Sequence, residues 1–337
     1  MLQQQQFSAL WIQQQSDGAL DIQVQPCTPD QLSAGTVTIR TAYSGLNYKD
    51  ALACSPTGNI VKSYPFIPGI DMSGVVMQSE DERYSPGQRV LVTGYGLGVT
   101  HTGGLSEIVR VPAEWIVPLP DSLSLREAMI FGTAGLTAAL AVERLERHGI
   151  TPEQGPILVT GATGGVGSIA VSMLANLGYE VVASTGKAQY EELLYTLGAK
   201  HIVARRELLP ERPRPLDKQR WAGAIDVCGG AILASVLSSL HYGGAVAAAG
   251  MTAGGALPAS VFPFILRGAT LYGIDSVFVS NEDRMRLWSR IGKQWKSFID
   301  TTNWIRELQL SEVPAYVTEL LHGKSHGRAI VKIGDNE

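Results

Sequence analysis

The sequence predicts an α/β protein of two domains, a β-rich unit followed by a doubly wound parallel sheet. Three observations predict it. Ile157 through Val171 reads as an apolar strand, a glycine turn and the start of a helix, the order that opens a βαβ unit. Strands and helices then alternate as far as residue 274, which implies a parallel sheet with helices on both faces. About 150 residues precede the turn and read differently, as short strands between Gly, Pro and Asp.

In chain order, residues 1–10 are glutamine-rich and lack the charged and apolar regions of a signal peptide. Strands follow at 19–24, 36–42, 74–77, 89–92 and 108–111, and three prolines in 112–121 close this part. Helical spacing runs over 125–149 with an interruption between Gly132 and Gly135. Strands are expected at 157–160, 180–184, 201–204, 224–227, 245–249 and 270–274, with helices at 165–177, 190–197 and 232–240. The first of these strands are apolar throughout rather than alternating, as burial on both faces requires. Residues 205–220, rich in Pro and charge, read as a surface loop with an irregular helix. The tail supplies helices at 282–298 and 312–321 and a strand at 329–333. These readings give one domain at 1–126 and 280–337, with the C-terminal segment returning to it, and a second at 127–279.

Composition narrows the function classes. Hydrophobic residues make up 45% of the 337 and charged residues 17%, enough for a substantial core. The net charge of −4 gives no reason to expect nucleic acid or an anionic membrane as a partner. The three cysteines, Cys27, Cys54 and Cys228, form no C-x-x-C pair and point to neither a zinc site nor a disulfide framework. No apolar run reaches the roughly 20 residues that cross a bilayer, so a cytoplasmic location is expected.

The glycine turn carries the first chemistry. A strict G-x-G-x-x-G template falls on Ala162, Gly164 and Gly167, so the motif is a variant. A tight structural turn also explains glycines, but the flanking strand and helix are the context of a dinucleotide site. NAD sites place an acid about 20 residues further on, for the ribose 2′-hydroxyl. Here stand Ser184, Thr185, Gly186 and Lys187, with Arg205 after the third strand. Hydroxyls and cations accept a 2′-phosphate that an acid would repel, so NADPH is the expected cofactor. The alternative for Lys187 and Arg205 is a solvated surface.

Several longer strings, taken together, resemble one known family. They are Ser44 to Leu52 (SGLNYKDAL), Pro65 to Gly74 (PFIPGIDMSG), Gly132 to Ala138 (GTAGLTA) and the glycine turn. In this order and spacing they resemble the medium-chain dehydrogenase/reductase superfamily, on its zinc-free quinone oxidoreductase-like side. Trp221 to Asp226 (WAGAID), Pro263 to Arg267 (PFILR) and Gly273 to Val277 (GIDSV) are similar to its NADPH-dependent acryloyl-CoA reductase branch. The resemblance spans essentially the whole chain. It implies a GroES-like β-rich catalytic domain plus a Rossmann domain, and a homodimer joined near 270–274. Zinc members take metal ligands from a Cys in the first string and a His in a P-G-H-E stretch. This chain has Asn47-Tyr48 and Ile70-Asp71 there, and the four-cysteine lobe is missing. No metal site is expected.

The resemblance also implies site residues. Gly164, Gly165, Val166 and Gly167 form the phosphate turn. Thr185, Gly186, Lys187 and Arg205 face the 2′-phosphate, with Lys187 where the family more often has Arg. Met251, Ile265 and Ser276 line the nicotinamide half, although Met251 and Ile265 also read as plain core. Tyr48 stands beside the nicotinamide, to orient its amide or donate a proton; a core tyrosine is the alternative. Asn47 either donates to a developing enolate oxygen or caps the next helix. Asp50 is a further catalytic candidate or simply favours the helix dipole. The glycine-rich loop 93–104 either rims the substrate site, with Tyr95 or His101 touching substrate, or has no role.

Without zinc there is no Lewis acid to polarise an isolated carbonyl. A conjugated carbonyl fits better: hydride goes to the β-carbon, hydrogen bonds hold the enolate oxygen, and the α-carbon takes a proton. An enoyl thioester is a substrate of this kind, and the resemblance implies a short one such as acryloyl-CoA. A quinone is the competing acceptor, and a non-catalytic NADPH-binding sensor is the reading from another class.

Overall fold

The computed structural model describes residues 6–296, 298 and 302–334. The chain divides into two compact units. Unit 1 is Met1–Thr133, Val277–Lys293 and Ile305–Glu337; unit 2 is Ala134–Ser276 and Gln294–Trp304.

Unit 1 is built on a seven-stranded sheet. Its strands are β3 (Val37–Leu46), β4 (Asp71–Ser79), β5 (Arg89–Thr93), β6 (Ile108–Val111), β7 (Val117–Pro118), β14 (Ile305–Gln309) and β15 (Arg328–Lys332). The order is β14-β15-β3-β4-β5-β7, with β6 paired to β3. All neighbours are antiparallel except β14 and β15. Alternate residues of the strands meet inside: Val37, Ile39, Met72, Val90, Val92, Val109 and Val111 form one buried cluster. A second cluster packs Leu46 and Ala51 against Leu308, Val317 and Val331. It joins the short helix α1 (Tyr48–Ala53) to α8 (Val313–Leu321). A separate hairpin pairs β1 (Phe7–Gln14) with β2 (Leu20–Cys27).

Three strands of unit 1 escape a sequence reading, the two-residue β7 among them. In β1 the glutamines on either side obscure a core of Phe7, Ala9, Leu10, Trp11 and Ile12, all buried. In β14 only Leu308 is fully buried, because a charged edge strand needs one apolar face at most.

Unit 2 is a six-stranded parallel sheet with order β10-β9-β8-β11-β12-β13. The strands are β8 (Ile157–Val159), β9 (Val181–Thr185), β10 (His201–Ala204), β11 (Trp221–Asp226), β12 (Leu240–Ala248) and β13 (Thr270–Gly273). Every pair is parallel. Ile157, Leu158 and Val159 are wholly buried, each worth roughly 1.5–3 kcal/mol of burial. Chain order reverses between β8 and β11, the switch point at which such sheets bind ligands. The helices are α3 (Gly165–Asn176), α4 (Glu191–Thr196), α5 (Gly230–Ser238) and α6 (Phe262–Arg267). Here α5 ends two residues before the sequence-expected position, because Leu240 already begins β12. The helix α6, with Pro263 in its first turn, has no counterpart in the sequence reading.

The helix α2 (Leu125–His148) belongs to both units and is broken at Gly132, with φ 51° and ψ −153°. The division between units comes at this kink, after Thr133, and not at the expected 126/127. Towards the C-terminus, α7 (Asn281–Gln294) stops short of the expected end at 298, and position 297 lies outside the described residues. The segment Gln294–Trp304 clusters with unit 2, where the buried Trp304 donates from Nε1 to the Leu193 carbonyl at 3.4 Å.

Candidate functional site

In unit 2 the candidate site begins where β8 runs into the glycine turn. Gly161, at φ 57°, reverses the chain, and Gly164 donates its N–H to the Gly161 carbonyl at 2.9 Å. Gly164 is the N-cap of α3 and offers no side chain to the amides of the first turn. Gly165, Val166 and Gly167 therefore present free N–H donors at the positive end of the helix, an arrangement suited to a pyrophosphate. A Cβ on Gly167 would stand 2.4 Å from the Gly161 oxygen, so the turn can close only around glycine.

The end of β9 lies beside this turn. Ala162 N–H donates to the Ser184 carbonyl at 3.0 Å, and the Thr163 and Thr185 hydroxyls are 3.2 Å apart. Lys187 N–H donates to Thr185 Oγ1 at 3.0 Å. The Arg205 guanidinium crosses Gly186 so closely that a Cβ there would lie 3.0 Å from its Cζ. Lys187 is half-buried, and burial, with Arg205's charge second, pushes its ammonium pKa down. Thr185, Gly186, Lys187 and Arg205 are thus gathered at one place with two cations. The residues fit the 2′-phosphate of NADPH by charge and donor chemistry.

Two further residues organise these loops, and the sequence reading missed both. Asp226, wholly buried at the end of β11, accepts from Thr160 Oγ1 at 2.6 Å and from Gly229 N–H at 2.7 Å. Thr160 in turn accepts from Val227 N–H at 3.1 Å. One carboxylate so ties the ends of β8 and β11 across the switch point. Met251 and Ile265 are 72% and 68% exposed, so neither is core. Ser276 is buried and accepts from Thr137 Oγ1 at 2.8 Å.

In unit 1 the candidate residues lie at the start of α1. Tyr48 is its first residue and is 46% exposed, which removes the core-tyrosine alternative. Asn47 and Asp50 do other work than expected. Both amide hydrogens of Asn47 are used, by Asp71 Oδ2 at 2.7 Å and by the Gly45 carbonyl at 3.2 Å. None remains for an enolate oxygen. Nor does the Asn47 side chain cap the helix; Asp50 Oδ2 accepts the Asn47 N–H at 2.8 Å instead. The other Asp50 oxygen accepts from Ile70 N–H at 2.9 Å, and the residue is wholly buried. Asp50 cannot reach a substrate. Burial, followed by the charge of Asp71, pushes its carboxyl up to about 7.

Asp71, Thr133 and Arg328 complete this cluster. Asp71 Oδ2 accepts from Thr133 N–H at 2.8 Å, while Oδ1 accepts a short hydrogen bond from the Thr133 hydroxyl. Burial pushes the Asp71 carboxyl up; Arg328 and the Thr133 and Asn47 donors pull the other way. Arg328, on β15 and 2% exposed, donates to the carbonyls of Leu46 (2.9 Å), Ile130 (2.8 Å) and Met129 (3.3 Å). It also donates to Asn47 Oδ1 at 3.2 Å and approaches Asp71 Oδ2 to 4.0 Å. The one available signal in the sequence was Asp71, an acid retained where the metal-binding stretch of the family also has one. Nothing in the pattern around Arg328 marked it as buried.

The loop 93–104 is tied down. Both ring nitrogens of His101 face carbonyl oxygens, Thr102 at 3.0 Å and Ala34 at 2.9 Å, so this residue is not a substrate contact. Tyr95 stacks on Trp115 at 5.5 Å, under the guanidinium of the buried Arg284 at 4.4 Å. Among the described residues no group of three His, Cys, Asp or Glu could hold a metal ion.

Residues 33–121 match the alcohol dehydrogenase GroES-like domain family, and residues 165–291 match the zinc-binding dehydrogenase family. YhfP of Bacillus subtilis, named as a quinone oxidoreductase, is 48% identical over 97% of this chain and 99% of its own length. The chain belongs to the medium-chain dehydrogenase/reductase superfamily. Within it, the acrylyl-CoA reductase AcuI of Ruegeria pomeroyi is 46% identical over 97% of this chain and 99% of its own. The yhdH oxidoreductase of Salmonella enterica, solved in complex with NADP, superimposes with TM-score 0.94 at 47% identity, covering 97% of this chain and all of that one. A structure of Bacillus subtilis yhfP holds NAD, with TM-score 0.94, 47% identity and coverage of 97% and 99%. The superfamily fold is therefore present throughout: a GroES-like unit and a Rossmann sheet. Zinc, which one family description implies, does not fit. Asn47, Tyr48, Ile70 and Asp71 supply no tetrahedral set of thiolate and imidazole ligands, and Asp71 is already committed to Thr133 and Asn47.

Proposed function

We propose that this protein reduces the conjugated C=C bond of a short 2-enoyl thioester such as acryloyl-CoA, using NADPH and no zinc. The full-length likeness to the acrylyl-CoA reductase AcuI carries the reading. The seat of Thr185, Gly186, Lys187 and Arg205 supports the choice of NADPH. When bound, the cofactor supplies a hydride to the β-carbon. The chain's own residues then have two tasks. The amides of Gly165, Val166 and Gly167 hold the pyrophosphate, with Met251, Ile265 and Ser276 lining the nicotinamide half. Tyr48, exposed at the start of α1, donates the proton to the α-carbon or orients the reacting groups.

The protein works in the cytoplasm as a homodimer. Its subunits join along β13, the outer strand of the unit 2 sheet, where pairing satisfies the edge's backbone groups. Sedimentation equilibrium would refute this by finding a monomer.

The likeness to YhfP keeps a quinone as the competing acceptor. NADPH oxidation with acryloyl-CoA, crotonyl-CoA and a quinone decides between them. Turnover of the enoyl thioesters is expected; turnover of the quinone alone would reject the reading. Tight NADPH binding without turnover of any acceptor would make the protein a sensor. Tyr48→Phe should lower kcat with acryloyl-CoA, and an unchanged kcat would leave Tyr48 as a surface residue.

A further inference from the structure

Unit 1 buries three charged groups at one corner, Asp50, Asp71 and Arg328, all essentially without solvent contact. Such an arrangement is expensive. Buried ion pairs seldom stabilise a fold more than apolar residues of the same size. Room for them has been made at the backbone. A Cβ on Gly45 would lie 2.9 Å from Arg328 Nη2 and 3.0 Å from Asp71 Oδ2. A Cβ on Gly132 would lie 2.3 Å from Asp71 Oδ2, and Gly132 holds a conformation that L-residues avoid. Desolvated charge concentrated at one point, with two glycines making room for it, calls for a task other than stability.

The hydrogen bonds identify the task. The Asn47 side chain is gripped between Arg328, which donates to its Oδ1, and Asp71, which accepts from its Nδ2. Arg328 also holds the Leu46 carbonyl one residue earlier, and Asp50 holds the Asn47 N–H. The next residue is Tyr48. Arg328 itself is 2% exposed and reaches no substrate. We infer that Arg328 is a positioning residue, acting with Asp71 through Asn47 to fix where the Tyr48 side chain stands. A guanidinium suits this work because its planar fork can hold several acceptors in one geometry. A lysine has the charge but not the fork.

The inference rests on the reading of Tyr48 as the group at the reacting atoms. The test is a double-mutant cycle on hydride transfer, measured by stopped-flow NADPH oxidation with acryloyl-CoA, alongside NADPH binding by fluorescence. Arg328→Lys should slow the step by about tenfold or more while the Kd for NADPH stays within about twofold, since the nucleotide seat is in unit 2. Combined with Tyr48→Phe, it should add little, because two residues that act as a unit are not additive. Rates that multiply would overturn the inference and leave the Tyr48 reading intact. A silent Tyr48→Phe would overturn both. If Arg328→Lys does not fold, Asn47→Ala removes the link between the clamp and Tyr48, and the same non-additivity with Tyr48→Phe is expected. Multiplying effects there would likewise overturn it.

Discussion

Replacing Arg205 with alanine should cost this enzyme its preference for NADPH without costing it NADH. The guanidinium already lies across Gly186 at the end of β9, so no rearrangement is needed to meet a 2′-phosphate there. A hydrogen bond to a charged group contributes about 1.5–3 kcal/mol. Arg205 is exposed, and solvent screening reduces this to about 1–2 kcal/mol. At about 1.4 kcal/mol for each factor of ten, the loss is roughly 5- to 30-fold in kcat/KM for NADPH. NADH carries only a hydroxyl at that position and should change by less than about twofold. The assay is steady-state kinetics with both nucleotides in the wild type, in Arg205→Ala and in Lys187→Ala, at low and at 0.5 M salt. The NADPH-specific loss should shrink at high salt, because the exposed charge is screened there. Equal proportional losses for the two nucleotides would refute the assignment of this seat to the 2′-phosphate. The NAD bound to the related yhfP makes the comparison worth doing directly.

Gly132→Ala forces an L-residue into a positive-φ conformation and drives its Cβ into Asp71; urea unfolding should show a loss of at least about 2 kcal/mol. An unchanged midpoint would mean that the kink is not held by Asp71. Asp50 predicts a pH dependence. Its carboxyl is raised from the ordinary acidic value to about 7 in the fold. Below pH 4 it is protonated whether folded or unfolded. Between pH 4 and 7 the unfolded chain releases its proton while the folded one keeps it, so Asp50 lowers stability progressively as pH rises. Asp50→Asn removes this effect, and its Tm relative to wild type should rise from pH 4 to pH 8. A constant or falling difference would contradict the raised carboxyl.

The parallel sheet was legible because burial on both faces writes strands as apolar runs, and Ile157-Leu158-Val159 is such a run. The gathering of Thr185, Gly186, Lys187 and Arg205 beside the glycine turn was legible because these residues follow the ends of two neighbouring strands, β9 and β10. The corner at Tyr48 was legible only in part. Asn47 and Asp50 were read as catalytic candidates, whereas their hydrogen bonds run to Asp71, Gly45, Ile70 and Arg328 inside the protein. Asp71 and Arg328 lie 24 and 281 positions from Asn47. No local pattern records a contact of that span. The edge strand β14 escaped because only Ile305 and Leu308 of its five residues are apolar.

The Leu46 carbonyl and the arginine that holds it are 282 positions apart. On the ribosome, the segments that carry Asn47, Asp50, Asp71 and Thr133 are made first. The whole six-stranded sheet of unit 2, finished at Gly273, follows before the strand that brings Arg328. Until that strand emerges, Asp50 and Asp71 have no buried cation beside them. The order of synthesis therefore leaves the corner around Asn47 and Asp71 without its arginine until nearly the end of the chain. A polypeptide released upstream of Arg328 carries every strand of the parallel sheet but lacks the cation that joins Leu46, Asn47 and Ile130.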